Sequence, residues 1–239
     1  MFDATYEAFV ADTPEARRIH HRIRYTVYCL ERGFEDPQAF PEGEERDQWD
    51  DRSVPFIFRH RHTGAWVGAL RLVTPGPEGL PLQQMAETEP MHRETAWELS
   101  RICVPGGMQG PEVPVANAGG QMLRDARSPD LFAGMLRAAI EYTRDQDVPY
   151  LYFLANRALA RIVGRLGFAF QNVGPGCDHR GIRYPYRAHL DEAVLSAVQR
   201  SSRMERLFYS PAPAYRLHSE RLPGNASPMS PMAEVCRAA

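Results

Sequence analysis

Six charged residues stand out because several of them interrupt apolar segments. They are Arg24, Asp47, Asp50, Arg71, Glu98 and Arg101. Arg71 lies within the run Leu70–Val73, and Glu98 and Arg101 lie within the run Ala96–Val104, and both runs have the pattern of strands. Because an ion buried without a partner is costly, charges in such runs indicate either a network of ion pairs or a polar pocket. Three arginines and three carboxylates would balance one another.

A regular strand would place Glu98 and Arg101 on opposite faces, because side chains alternate along a strand. The two side chains converge only if the strand bulges or splays between them. Alternatively, Arg101 pairs on the other face with an acid from the 47–51 loop. A structural interpretation of the set stays open, in which the strand arginines only pair with Asp47 and Asp50.

Composition narrows the classes of function. All 28 basic residues of the 239-residue chain are arginines, and the net charge is -2. The absence of lysine excludes Schiff-base chemistry and disfavours a P-loop. The near-neutral charge gives no support for binding to nucleic acid.

Cysteine usage and hydropathy indicate the compartment. Cys29, Cys103, Cys177 and Cys236 are far apart, which predicts neither a metal site nor a disulfide framework. This usage fits a reducing compartment. We find no signal peptide and no segment of membrane-spanning length, and we therefore expect a cytoplasmic protein without a membrane span.

The pattern along the chain predicts the elements that carry these residues. Thr13-Pro14-Glu15 has the composition of a helix start, and Gly33 is a plausible stop. Further helices are expected to open at Ser128-Pro129-Asp130, after Asn156, and over 191–207. Strands are expected at 54–61, 65–74, 96–104, 150–154, 168–173 and 182–189. This order predicts an α/β sandwich with a mixed sheet. Residues 35–52 and 75–94 are expected to be loops, 106–127 a long excursion, and the chain from Pro211 onward poorly ordered.

At this point the chain resembles a known family. The order of its residues is similar to the signature of the synthases that make N-acyl homoserine lactones, which are GNAT-like acyltransferases. The matching positions are Arg24, Tyr28, Phe34, Asp47, Asp50, Arg71, Glu98 and Arg101. The text around them, in 48–51 (Gln-Trp-Asp-Asp) and 97–105, looks closer to a sister group. That group is the exosortase (PEP-CTERM) system-associated acyltransferases, which are similar to N-acyl amino acid synthases. The resemblance covers roughly residues 6–190.

The resemblance implies a GNAT-like α/β/α sandwich around a mixed, mostly antiparallel sheet. It implies an acyltransferase domain at 1–190, followed at 191–239 by a C-terminal helix and a poorly ordered tail. In the implied reaction an amine attacks an acyl thioester, with Glu98 taking the proton and Arg101 acting beside it. Amides near Ile102, Cys103 and Val104 would stabilise the developing oxyanion. The other residues expected to bind substrate are Arg24, Tyr28, Phe34, Asp47, Trp49, Asp50 and Arg71.

Departures from the family pattern bear on the two substrates. Tyr28 and Phe34 stand where the lactone synthases usually carry phenylalanine and tryptophan, which argues against S-adenosylmethionine. The pyrophosphate-cradling turn of acyl-CoA enzymes is missing after Val104-Pro105. We therefore expect no bound cofactor. The expected donor is an acyl-phosphopantetheine thioester, on acyl carrier protein rather than on coenzyme A. The expected acceptor is an amino acid or a similar small amine. Arg157, Arg161 and Arg165 recur on one helix face, which is either a docking patch for an acidic carrier or a solvated surface.

Two other functions stay open. One is a homoserine lactone synthase that uses S-adenosylmethionine. The other is a GNAT-like protein that has lost catalysis and binds a carrier or another partner. The sequence specifies neither the acyl length nor the oligomeric state.

Overall fold

The computed structural model describes residues 2–92, 95–106, 113–116, 122–125 and 129–221. Its strands are β1 (Tyr6–Val10), β2 (Ser53–His60), β3 (Trp66–Val73), β4 (Ala96–Cys103), β5 (Val113–Ala116), β6 (Met122–Asp125), β7 (Tyr150–Ala155), β8 (Gln171–Asn172), β9 (Cys177–Asp178), β10 (Ile182–His189) and β11 (Arg216–Leu217). The main sheet has the order β11-β1-β2-β3-β4-β7-β10-β8, with β9 paired to β10, while β5 and β6 form a separate pair. Within the main sheet only β1–β11 and β4–β7 are parallel among the described strands, which confirms the predicted mixed, mostly antiparallel sheet.

Helices cover both faces of this sheet. They are α1 (Phe2–Thr5), α2 (Pro14–Tyr25), α3 (Pro129–Asp145), α4 (Arg157–Arg165), α5 (Leu190–Arg200) and α6 (Ser202–Phe208). Helix α2 packs through Ile23 and neighbouring apolar residues against Ile57 and Ala69 on one face. Helices α3, α5 and α6 bury their apolar sides with Phe56 and Leu70 on the other face. The architecture is therefore the α/β/α sandwich that the sequence predicts.

The helix starts follow the local chemistry. The Thr13 hydroxyl accepts the Ala16 N–H at 3.2 Å at the start of α2, and the Asn156 side chain accepts the Leu159 N–H at 2.8 Å at the start of α4. Beyond Tyr25 the chain continues as a π-helical segment, Thr26–Glu31, before Gly33 adopts a φ of 60°. This wider turn carries the aromatic Tyr28, which the candidate site uses.

Three expectations need correction. The predicted elements begin with the helix at Thr13, yet β1 forms before it and pairs with β2 over its whole length. The helix expected over 191–207 is two helices, because Ser201 is extended and caps α6. The end from Pro211 is not wholly without structure, since β11 pairs with β1 through Phe9↔Arg216 and Val10↔Leu217. Ser128, 107–112, 117–121, 126–127 and 222–239 lie outside the described residues.

The sheet is irregular where β4 carries its charges. The register between β3 and β4 shifts between Ala69 and Arg71, and Arg101 has a φ of 50°, in the left-handed region. Strand β4 also pairs with β7 only as far as Glu98↔Tyr152. The strand therefore both bulges and diverges from its neighbour beyond Glu98, which is the condition under which Glu98 and Arg101 can face the same space.

Candidate active site

A buried network of ion pairs joins α2, the 35–52 loop, β3 and β4. Arg24 from α2 pairs with Glu45 and, at 2.5 Å, with Asp50. Arg71 from β3 lies 2.7 Å from Asp50 and 2.5 Å from Asp47. Arg24 is 0% exposed and Arg71 1% exposed, so water contributes little to their solvation. The carboxylates must supply that stabilisation instead.

Arg101 completes this network from the bulge of β4. Its Nη2 lies 2.9 Å from Asp47 and 3.2 Å from Glu45. Its guanidinium carbon also stands 5.3 Å from the centre of the Tyr28 ring. These contacts hold a non-glycine residue in the left-handed conformation, which by itself costs about 1 kcal/mol or more. Arg101 therefore pairs with Asp47, an acid of the 47–51 loop, while the bulge removes the regular alternation that would place it on the face opposite Glu98.

The third carboxylate of the network is Glu45, not Glu98. Sequence reasoning missed Glu45, which is 1% exposed and bridges Arg24 and Arg101. The three arginines are balanced by Glu45, Asp47 and Asp50, so the expected self-balancing set exists with one member exchanged. The sequence indicates only that the 35–52 loop is acidic. Because that loop contains seven other carboxylates, the sequence does not single out Glu45.

The charges of the network reinforce one another. Burial tends to lower the pKa of Arg24, but Glu45 and Asp50 outweigh burial and raise the pKa above its usual value. Burial likewise tends to raise the pKa of Asp50, yet Arg24 and Arg71 hold that pKa well below its usual range. The pKa values of Glu45 and Asp47 are also lowered, because Arg24 and Arg71 respectively overcome the effect of burial. All members are therefore ionised near neutral pH.

Glu98 lies beside the network without an ion pair to it among the described residues. Its Oε2 accepts the Leu82 N–H at 2.7 Å. Burial raises the pKa of Glu98 to about 8, against the opposing effects of the Leu82 N–H and of Arg71. A carboxyl group with a pKa near neutrality can exchange a proton with a substrate at physiological pH, as a general base must.

A cavity of about 1060 Å³ opens at the divergence of β4 from β7. One wall is Ser100–Val104 of β4, and the opposite wall includes Phe153 and Leu154 of β7. Glu98 lines this cavity, and Phe132 and Leu136 of α3 add apolar surface. The cavity therefore combines a titratable carboxyl, strand backbone and an apolar wall, which suits a molecule with a reactive head and a hydrocarbon chain.

The cavity includes most of the predicted site residues. Tyr28, Phe34, Asp47, Trp49, Arg71, Glu98, Arg101, Ile102, Cys103 and Val104 all line it. Arg24 and Asp50 do not line it, and they position Arg71 and the loop acids from behind. The structure thus places these two residues behind the cavity wall, where they can position the residues that line it.

Aromatic contacts shape one end of the cavity. The rings of Tyr28 and Phe34 are stacked at 6.4 Å, and the Tyr28 hydroxyl donates to the Ile102 carbonyl at 3.2 Å. That bond satisfies a carbonyl of the bulged strand. Trp49 is packed under the guanidinium of Arg52, whose carbon is 4.6 Å from the ring centre. Tyr28 thereby fixes the course of β4 where oxyanion-stabilising amides are expected.

Cys103 shows no sign of being a nucleophile. Burial raises the pKa of its thiol to about 12, so the thiolate is scarce near neutral pH. The described residues include no cluster of three or more His, Cys, Asp or Glu side chains placed to hold a metal ion. The site instead offers acid–base and electrostatic chemistry through carboxyl and guanidinium groups.

Comparison with known proteins supports this assignment of the fold. Residues 23–116 match the family model described as an acetyltransferase (GNAT) domain, which confirms the predicted acyltransferase class. A search of curated proteins finds none that matches. No helix in the described parts of the chain combines the length and apolarity needed to cross a membrane.

Three solved structures have a similar fold. TofI, in a ternary complex with an inhibitor and MTA, is 21% identical with a TM-score of 0.60, over 83% of this chain and 99% of TofI. BjaI, a CoA-dependent acyl-homoserine lactone synthase with SAM and isopentyl-CoA, is 17% identical with a TM-score of 0.59, over 84% and 89%. FeeM, an N-acyl amino acid synthase from uncultured soil microbes, is 15% identical with a TM-score of 0.51, over 81% and 96%. At these identities the similarity shows the GNAT fold. The substrate has to be inferred from the residues of the site.

Proposed function

We propose that this protein transfers a fatty acyl group from a phosphopantetheine thioester to the amine of an amino acid or a similar small molecule. The observation that carries the proposal is Glu98. It is a buried carboxyl with a pKa near 8 in a cavity between diverging strands, beside a charge-balanced network. The match to an acetyltransferase domain supports the same reaction class.

The proposed step balances without a cofactor. Glu98 in its carboxylate form accepts a proton from the acceptor ammonium, and the free amine attacks the thioester carbon. A C–N bond forms and the C–S bond breaks, and the thiol leaves with a proton from the collapsing intermediate. Backbone of Ile102–Val104 and the charge of Arg101 face the developing oxyanion, while the cavity holds the two reactants together.

Surface charge supports a carrier protein as the donor. Arg161 and Arg165 on α4 line the mouth of the cavity and are exposed. Neither makes an ion pair with a carboxylate in the described part of the chain, so both are available to an acidic carrier. Similar proteins with acyl-CoA donors, such as BjaI, make coenzyme A the competing donor. An association with an exosortase system stays a prediction from the sequence resemblance, as does the cytoplasmic location.

A direct assay tests the proposal. Purified protein is incubated with acyl carrier protein thioesters or acyl-CoA of several chain lengths, and with either a pool of amino acids or S-adenosylmethionine. Mass spectrometry then identifies the products. We expect N-acyl amino acids, formed faster from the carrier thioester. Acyl homoserine lactone as the product would establish the lactone synthase instead. No product in any arm, with bound carrier protein, would establish a non-catalytic binder.

A further inference from the structure

The cavity wall next to the ion-pair network is rich in basic residues, and Glu35 contacts both Arg101 of the network and Arg180 of this wall. His179 and Arg180 follow β9, Arg183 is the second residue of strand β10, and all three line the cavity. Arg180 pairs with Glu35, and its guanidinium carbon lies 5.8 Å from the centre of the Phe34 ring. The hairpin is thus tied to the segment that carries the aromatic end of the cavity.

Arg183 differs from the other arginines that are partly or fully buried around this cavity. Its Nε donates to the His179 carbonyl at 2.7 Å, and this bond fixes the plane of the guanidinium. No carboxylate among the described residues pairs with it. Glu35, Glu45, Asp47 and Asp50 pair with other arginines. Asp178, on the paired strand β9, is exposed. Glu98, which lines the same cavity, has a pKa of about 8 and is mostly neutral at pH 7.

The buried charges around the cavity do not balance completely. Arg24, Arg71 and Arg101 are balanced by three carboxylates, and Arg180 is balanced by Glu35. His179 is neutral near pH 7, because burial and then Arg180 lower its pKa to about 4. Among the described arginines of the cavity that are not exposed, Arg183 is left as one uncompensated positive charge. Burial and the repulsion of Arg180 and Arg101 lower its pKa from the usual value, the response expected of a cation without a partner.

Resting on the proposed function, we infer that Arg183 binds the carboxylate of the acceptor, so that the enzyme selects α-amino acids over amines that lack an acid group. A guanidinium with a fixed plane suits a carboxylate, which it can grip through two parallel N–H bonds. The acceptor would lie between Arg183 and Glu98, with its acid group held at one end and its amine presented for proton removal at the other. The same anion chemistry would suit a phosphate of the donor arm, and the test separates the two.

The first experiment compares each amino acid used by the enzyme with its α-amide, which keeps the amine and removes the negative charge. Wild-type protein should favour the acid. Arg183→Gln should raise KM for the acid roughly 10- to 100-fold, the range expected for a hydrogen-bonded charge pair, and should change KM for the amide by less than about threefold. Arg183→Lys keeps the positive charge but lacks the planar guanidinium, so its KM for the acid should lie between those of wild-type protein and Arg183→Gln. Arg187→Gln, the same exchange on the same strand outside the cavity lining, is the matched control and should leave both substrates unaffected.

Several results would overturn the inference. Equal losses for acid and amide in Arg183→Gln would give this arginine a merely structural role. An unchanged KM for the acid with a raised KM for the thioester would assign it to the phosphate of the donor. Equal use of acid and amide by wild-type protein would also reject selection by a carboxylate.

A binding measurement separates this inference from the proposed function. N-dodecanoylglycine and N-dodecanoylglycinamide, used below their critical micelle concentrations, differ only in the acid group and are titrated calorimetrically. We expect wild-type protein to bind the acid more tightly, and Arg183→Gln to bind both alike. If these binding results are obtained but no assay detects acyl transfer, the proposed function is rejected and the carboxylate site is retained. If acyl transfer is detected but wild-type protein binds the two probes equally, the proposed function is retained and the carboxylate site is rejected.

Discussion

Replacing Glu45 tests whether the buried network was assigned correctly. Glu45→Gln removes one negative charge between Arg24 and Arg101 while keeping the size of the side chain. Removing one partner of a buried ion pair typically costs about 3–5 kcal/mol, because the other charge stays buried without compensation. Two features reduce this cost: the glutamine oxygen can still accept a bond, and Asp50 still contacts Arg24 at 2.5 Å. We therefore expect the free energy of unfolding to fall by about 2–4 kcal/mol.

Urea unfolding followed by circular dichroism measures this change. For a domain of this size a urea m-value of about 3 kcal/mol/M is expected, so the midpoint should fall by roughly 1 M with m unchanged. The matched control is Glu141→Gln, which removes a carboxylate from a pair with Arg144, whose side chain is 39% exposed. Exposed helix pairs contribute about 0.5 kcal/mol or less. If Glu45→Gln moves the midpoint no further than this control, the network does not stabilise the fold as argued.

Three further predictions follow from the site. Glu98→Gln should lower kcat/KM by about 10²–10⁴-fold, and the wild-type rise of kcat/KM as the pH increases through about 8 should vanish in this variant, as pH–rate profiles would show. The pKa values of Glu45, Asp47 and Asp50 are lowered in the folded state, so the stability that they contribute is complete above about pH 5 and declines as the pH falls through 4 toward their folded values. Urea midpoints at pH 3–7 should show this decline, and Glu45→Gln should weaken it. Tyr28→Phe removes the donor to the Ile102 carbonyl and should cost about 1 kcal/mol of stability, measured by the same unfolding curves, together with part of kcat.

Most of the sheet was predictable because its strands carry clear local signals. Strand β2 was expected at 54–61 and occupies Ser53–His60, and β3 was expected at 65–74 and occupies Trp66–Val73. The turn between them contains Gly64 with a φ of 72°, as a short connection requires. Strand β1 was missed because five residues after a four-residue helix give no extended periodicity. It is stabilised by pairing with β2 on one edge and β11 on the other, and by burial of Tyr6 and Phe9 in the cores on the two faces of the sheet.

The charges on regular elements were predictable, whereas the choice of loop acid was not. The pattern identifies Arg71, Glu98 and Arg101 because they interrupt apolar strands, where a charged side chain is unusual. Glu45 sits in a polar loop, where a carboxylate is ordinary. It becomes buried because the loop folds under α2, with the Glu45 N–H donating to the His21 carbonyl at 3.2 Å. Contacts between segments distant in sequence therefore decided which acid joined the network.

That choice of acid has a chemical consequence. If Glu98 were the third carboxylate of the network, the neighbouring arginines would hold its pKa low, as Arg24 and Arg71 do for Asp50, and it would be a weak base. Because Glu45 takes that place, Glu98 keeps only the Leu82 N–H and distant arginines against the effect of burial, and its pKa rises to about 8. The network can then stay permanently ionised while the neighbouring carboxyl titrates near neutrality. Because their environments differ, Glu45 stabilises the structure as a permanent ion, whereas Glu98 can transfer a proton.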